Sequence, residues 1–206
     1  MDWYFDFISP YSYLQLERMP RWPAGVALAP KPILFAGLLK HWGQKGPAEI
    51  PVKRTFTYRQ VQWLADRAGI GLRFPPRHPF NPVSALRRAV SLGADLEVIR
   101  AIFRYIWAEG GAVDTPEGWA ALAKRLDLTD ADARVADPEV KAKLRRNGEE
   151  ALAAGVFGVP SLVVGKMVFW GQDSTDMALD YLRDRSRFET AEMRRIENLP
   201  VGASRA

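Results

Sequence analysis

DFISPYSYL, Asp6 to Leu14, is the stretch on which the fold turns. An apolar, aromatic-rich run, WYFDFI, breaks off at Ser9-Pro10, so Trp3 to Ile8 reads as a short buried strand stopped by a turn signal. Proline loses nothing at the first helical position, because its fixed φ suits a helix and the N–H it lacks would have had no partner there. Pro10 therefore opens a helix and Ser9 is its N-cap, with Ser12 one turn further on. A strand thus hands over to a helix at an S-x-x-S pair, a spacing at which thiol redox proteins hold two cysteines. The chain has no cysteine at all.

That absence limits the chemistry. Disulfides, thiolate metal sites and a cysteine nucleophile are excluded, and the two histidines, His41 and His78, form no cluster with metal-ligand spacing. No metal is expected, and any thiol chemistry must be borrowed. With 206 residues and 48% hydrophobic composition, the chain can bury a substantial core as one domain or a domain with an insertion. Its first twenty residues lack a basic segment followed by an uninterrupted apolar run, so they read as mature structure and not as a signal peptide. No later run reaches the roughly eighteen apolar residues of a spanning helix. The expected location is the cytoplasm, with no membrane partner. The net charge is +5, but the basic residues interleave with acids at helical spacing, as in RRAVSLGADLEVIR and KAKLRRNGEE. This pattern describes a solvated helix surface and no nucleic-acid partner, while small carboxylates remain suitable ligands.

Along the chain, GVALAPKPILF offers a second strand and LFAGLLKHW a short helix ended by Gly43. Gly43 to Arg54, rich in Gly and Pro, reads as a loop. Helical spacing follows to about Ala154: Tyr58, Val61, Leu64, Ala65 and Ala68 recur at i, i+3, i+4, as do Leu96, Ile99, Phe103, Ile106 and Trp107. Thr115-Pro116 and Asp137-Pro138 look like further cap-plus-N1 starts. After Gly155 come SLVV, a turn at Gly165-Lys166, MVFW, and a last helix around Ser174 to Arg185. The order βαβα, helical block, β-hairpin, α describes an α/β fold: a thioredoxin-like core with an all-helical insertion. Residues 1–53 and 155–200 make the discontinuous core, 54–154 the insertion and 201–206 a flexible tail. GVFGVPSLVV then carries a second marker, since Val159-Pro160 stands where thioredoxin folds keep a cis-proline loop with exposed backbone. The alternative is that Pro160 merely begins an edge strand.

Taken together, FDFISPYSYL, GPAEIPVKR, FPPRHPFN, GVFGVPSLVV and FWGQD resemble the 2-hydroxychromene-2-carboxylate isomerases, relatives of the kappa-class glutathione transferases in the DsbA-like branch of the thioredoxin superfamily. The resemblance covers nearly the whole chain, in order and with matching gaps. It implies glutathione as cofactor and conversion of 2-hydroxychromene-2-carboxylate to trans-o-hydroxybenzylidenepyruvate, or of a related aromatic acid, in aromatic hydrocarbon degradation. It also implies a homodimer, for which the sequence itself carries no signal.

The resemblance supplies the missing sulfur. Ser9, in place of an attacking cysteine, is implied to donate to the sulfur of glutathione at a helix N-terminus; its other reading is a plain N-cap. Ser12 reads as a neighbour. The backbone of Val159, with Pro160 after it, is implied to pair with the cysteinyl part. Asp173, flanked by Gln172 and Ser174, is implied to hold the γ-glutamyl end, a role compatible with capping a helix. Lys53 matches a lysine near the glycyl carboxylate, with a solvated lysine as the alternative. Two positions depart from the family: Gln44, nine residues before Lys53, where asparagine is frequent, and Ser174, where many relatives carry a basic residue. Asn81 matches a position near the substrate pocket, or caps the helix that follows it. Tyr11, Trp42, Phe80 and Trp170 are candidate walls for an aromatic substrate, or core. A kappa-type glutathione transferase and a non-catalytic binding module of the same fold are the alternatives.

Overall fold

The first strand sits in the middle of the sheet, and that placement puts Ser9 at the centre of one edge. In the computed structural model, which describes residues 1–20, 22–128 and 131–203, β1 (Asp2–Phe5) leads through α1 (Pro10–Glu17) to β2 (Ala29–Pro32), which pairs parallel with it. α2 (Phe35–Trp42) follows and ends at Gly43, whose φ of 63° is the left-handed conformation that glycine adopts without strain. The helical stretch holds α3 (Pro51–Ala68), α4 (Val83–Ser91), α5 (Leu96–Trp107), α6 (Pro116–Arg125), α7 (Ala131–Ala136) and α8 (Pro138–Ala153). The chain then returns as β3 (Ser161–Val164), β4 (Met167–Trp170), α9 (Thr175–Arg183) and α10 (Ala191–Glu197). The strand order is β2-β1-β3-β4, with β3 antiparallel to both its neighbours.

β1 is buried on both faces, as a central strand between helical layers must be. Trp3, Phe5 and Phe7 alternate onto one face, where Trp3 and Phe5 stack with centroids 4.4 Å apart and Phe7 lies 4.7 Å from Phe103. Ile99, Ile102, Phe103, Ile106 and Trp107 of α5 are fully buried in the same cluster, so sheet and helical stretch share one core. Tyr4 faces the other way, onto Ile33, Leu38 and Val156.

The X-Pro starts behave as expected: Ser9, Thr115 and Asp137 each cap a helix with proline in its first turn. The same device operates at Ile50-Pro51, where the sequence pattern shows only a loop. Proline starts α3 there, so Lys53 lies in a helix's first turn and not in a loop. The second strand shrinks to Ala29–Pro32 because Pro30 and Pro32 lack ladder donors, which only an edge strand tolerates. Asp173 precedes the next helix in a short 3₁₀ turn, Gln172–Ser174. Beyond α9 the chain continues through Arg185–Phe188 into α10, and Phe188 packs 5.2 Å from Tyr181. Of the expected tail, residues 204–206 lie outside the described residues. Among the described residues, no helix is long and apolar enough to cross a membrane.

Candidate functional site

Ser9 is nearly buried, at 7% exposure, and its hydroxyl oxygen accepts the Ser12 N–H at 3.2 Å. The hydroxyl's own hydrogen meets no acceptor among the described residues. The backbone leading into it is held from several directions. Phe7 C=O accepts from Trp107 Nε1 at 2.8 Å, Ile8 N–H donates to Asp6 Oδ1 at 3.0 Å, Ile8 C=O lies 2.9 Å from His78 Nε2, and Ser9 N–H donates to the Asp6 carbonyl at 3.0 Å. Asp6 is fully buried and its Oδ2 also accepts the Phe35 N–H at 2.8 Å, tying the turn to the start of α2. Burial pushes the Asp6 carboxyl up to about 7, against the pull of its N–H donors. Ser12 is fully buried and its hydroxyl has no partner among the described residues, so it offers nothing to a ligand arriving from solvent.

Val159-Pro160 is a cis peptide. Tyr4 pairs with Ser161 across β1 and β3, and continuing that register sets Pro160 and Val159 beside Phe5 and Asp6, at the end of β1 that runs into Ser9. Val159 N–H and C=O make no backbone hydrogen bond among the described residues. Gly158 is required for its lack of a side chain, because a Cβ there would collide with the Trp170 indole. Pro160 C=O accepts the Gly171 N–H at 2.9 Å, which joins this loop to the Gln172–Ser174 turn. Gly171, at φ 90° and ψ 156°, adopts a backbone that is essentially glycine's alone.

The turn is bolted to α1 through Gln15, a buried residue whose Nε2 donates to Gly171 C=O at 3.3 Å and to Thr175 Oγ1 at 3.0 Å, while its Oε1 accepts from Trp3 Nε1 at 2.7 Å. Arg18 donates to Gln172 Oε1 at 3.2 Å, and Ser174 Oγ donates to Gly171 C=O at 2.9 Å. Asp173 is exposed beside them, and its charge reaches Tyr11, where burial first and Asp173 second push the phenol up. Tyr11 donates to Gln60 Oε1 at 2.7 Å. The fold therefore gathers Ser9, Tyr11, Val159, Pro160, Gln172, Asp173 and Ser174 around one end of β1.

Other expected positions are not drawn in. Gln44 and Lys53 are exposed, and their side chains make no hydrogen bond or ion pair among the described residues. Asn81 is exposed and its Oδ1 accepts the Val83 N–H at 3.1 Å, as a cap would. Phe80 belongs to the core, whereas Trp42 and Trp170 are half exposed. Sequence reasoning missed Asp6, Gln15, Tyr58 and His78 as structural partners of the turn. Asp6 had a signal, a charged residue inside an aromatic run; Gln15 had only that of an isolated polar residue between Leu14 and Leu16, and His78, beside Arg77 in a proline-rich loop, had none.

Comparison with known proteins falls on the same frame. The model of the DSBA-like thioredoxin domain matches residues 1–183. A 2-hydroxychromene-2-carboxylate isomerase of Sphingobium xenophagum is 30% identical over 193 residues, covering 89% of this chain and 98% of that one. Glutathione S-transferase kappa 2 of Caenorhabditis elegans is 28% identical over 208 residues, covering 89% and 92%. A solved 2-hydroxychromene-2-carboxylate isomerase superposes with a TM-score of 0.76 at 22% identity over 93% of this chain and 98% of that one, a likeness of fold.

Proposed function

The chain belongs to the DSBA-like thioredoxin domain family, among relatives that include 2-hydroxychromene-2-carboxylate isomerases and kappa-class glutathione transferases, and from that premise we propose that it borrows its thiol from glutathione to isomerise an aromatic hydroxy acid. The reading rests on one observation above the rest: a serine hydroxyl with its hydrogen uncommitted, capping a helix at the spot where this fold keeps its sulfur. 2-Hydroxychromene-2-carboxylate, or a close relative, is the proposed substrate.

The residues present fit glutathione. Val159 offers a backbone N–H and C=O that are unpaired among the described residues, as a strand edge offers them to a peptide, to the cysteinyl unit. The Asp173 carboxylate can accept from the γ-glutamyl ammonium, with Gln172 and Ser174 beside it. Lys53 carries the charge complementary to the glycyl carboxylate, and Gln44, also exposed, has a side-chain amide without a hydrogen bond among the described residues. When bound, glutathione supplies the sulfur nucleophile that the chain lacks. Ser9 donates its hydrogen to that sulfur and the N-terminus of α1 adds partial positive charge, so both favour thiolate over thiol. Tyr11 and Asn81 are proposed to line the substrate side. The work is that of nucleophilic catalysis with orientation: lowering the thiol pKa and holding a planar anion against it.

Titration of the purified chain with glutathione, followed by thiolate absorbance, tests this directly. Wild type should give a saturable thiolate signal at neutral pH that Ser9→Ala loses, together with about a hundredfold of turnover, the scale for removing one donor to a reacting anion. No signal in either protein overturns the cofactor assignment. A second reading, a kappa-type transferase, is favoured by the similarity to the nematode enzyme. Conjugation of a generic electrophile without isomerisation would select it.

A further inference from the structure

The peptide unit joining Ile8 to Ser9 is held at both ends, and one of the two holders comes from seventy residues away. Its N–H donates to the Asp6 carbonyl at 3.0 Å, and its C=O faces His78 Nε2 at 2.9 Å. A carbonyl can only accept, so Nε2 must carry the hydrogen. In a neutral ring Nδ1 is then a lone pair, and the Tyr58 hydroxyl, 2.7 Å away, donates to it. The same hydroxyl also points its one hydrogen toward the His78 carbonyl at 2.9 Å, so that hydrogen is shared between this oxygen and Nδ1 and ties the ring to its own backbone. Rings enclose the imidazole on its other sides, with centroids at 5.4 Å for Trp107, 6.0 Å for Phe80 and 6.4 Å for Phe74.

We propose that His78 is a positioning residue for Ser9: by donating Nε2–H to the Ile8 carbonyl it fixes the peptide plane from which the Ser9 side chain springs, and Tyr58 holds it in the tautomer able to do so. The inference rests on the glutathione reading of Ser9. Orientation matters there because the hydroxyl has a single hydrogen to give, and a donor misaimed by a fraction of an ångström gives up much of its interaction with a developing anion. The surroundings keep the ring neutral. Burial lowers the His78 pKa most, the nearby Arg54 charge lowers it further, and the bond to Ile8 opposes them.

The test uses the full chain as wild type, Ser9→Ala, His78→Leu, His78→Gln and Tyr58→Phe, and follows thiolate absorbance of bound glutathione against pH. His78→Leu should raise the apparent thiol pKa by about one unit, a tenfold loss of thiolate below the pKa, with glutathione affinity changed less than about twofold well below the pKa and weakened by up to about tenfold above it. His78→Gln keeps a donor at similar reach and should restore most of the thiolate. Tyr58→Phe, which frees the tautomer without emptying the pocket, should fall between wild type and His78→Leu and keeps the question decidable if His78→Leu does not fold. A His78→Leu or Tyr58→Phe titration superimposable on wild type, or a His78→Gln titration no better than that of His78→Leu, overturns the proposal. These outcomes differ from failure of the glutathione reading, in which wild type itself shows no thiolate and both ideas fall together.

Discussion

The two groups of residues expected to hold glutathione are built by opposite means. Around Ser9, the backbone groups from Phe7 C=O to Ser9 N–H are each taken by buried or half-buried partners: Asp6 just after β1, Trp107 of α5, and His78 of the loop before α4. At Gln44 and Lys53, both side chains stand exposed without a partner among the described residues. The first group cannot be altered without disturbing the packing that supports it, since buried polar groups that lose a partner are penalised in full. The second can change residue by residue with little effect on the fold. Gln44, one of the two positions where this chain departs from the family pattern, belongs to that free group. Ser174, the other, is tied in by its hydroxyl and its backbone N–H, both on the Gly171 carbonyl.

The largest effect should follow from breaking the support of the bolted group at Gln15. Gln15→Leu preserves bulk but leaves the buried Trp3 Nε1–H without its acceptor and removes the link from α1 to Gly171 and Thr175. An orphaned buried donor costs about 2 kcal/mol, which for a chain of this size lowers Tm by roughly 4–8 °C. Calorimetry would measure it, and an unchanged Tm would mean that the bolt contributes nothing. Thiolate formation at Ser9 should weaken along with it, because α1 and the Gln172–Ser174 turn would no longer move as one piece.

Asp6 sharpens the comparison through pH. Its folded-state pKa is raised from 3.8 to about 7 by burial, so the native state holds a proton that the unfolded chain has already released. Stability from this group is therefore fully present below about pH 4 and is lost as pH rises to 7, with a slope of at most about 1.4 kcal/mol per pH unit. Asp6→Asn cannot titrate, and its NH₂ would face one of the two backbone donors, so it should be less stable than wild type at pH 4.5. That gap should close as pH rises toward 7. Denaturant unfolding of both proteins across that range checks it; parallel curves would show that Asp6 does not titrate in the window.

Much of this architecture could be read from the chain, and what escaped has a common cause. Ser9-Pro10, Thr115-Pro116 and Asp137-Pro138 were legible because capping is local: a hydroxyl or carboxylate followed by proline satisfies orphan N–H groups within one turn. The identical logic at Ile50-Pro51 is hidden by the neighbouring Gly and Pro residues and by the lack of a polar cap, so the sequence reads Lys53 as loop where α3 has already begun. The supports of the Ser9 turn were not legible at all. His78 reaches Ile8, and Gln15 reaches Gly171 and Thr175, across 70 and more than 150 positions, and no local periodicity encodes such contacts. The resemblance supplied candidate contacts for glutathione, yet could not say that some were rooted in the core and others stood free.

Lys53→Ala should produce the smallest effect, and it separates the two groups most cleanly. The side chain is exposed in the first turn of α3 and takes part in no ion pair among the described residues, so its removal should leave Tm unchanged within measurement. Against a glutathione carboxylate, an exposed lysine contributes about 0.5 kcal/mol, which appears as a two- to threefold rise in KM at low salt with kcat untouched. Screening supplies the control: wild-type affinity should decline toward that of the variant as ionic strength approaches 1 M, where the Debye length falls to about 3 Å. A KM that is unaffected at every salt concentration would remove Lys53 from the site. A fall in kcat would mean that the free group is coupled to the thiol after all, and that the division between a rigid group and a tunable one is wrong.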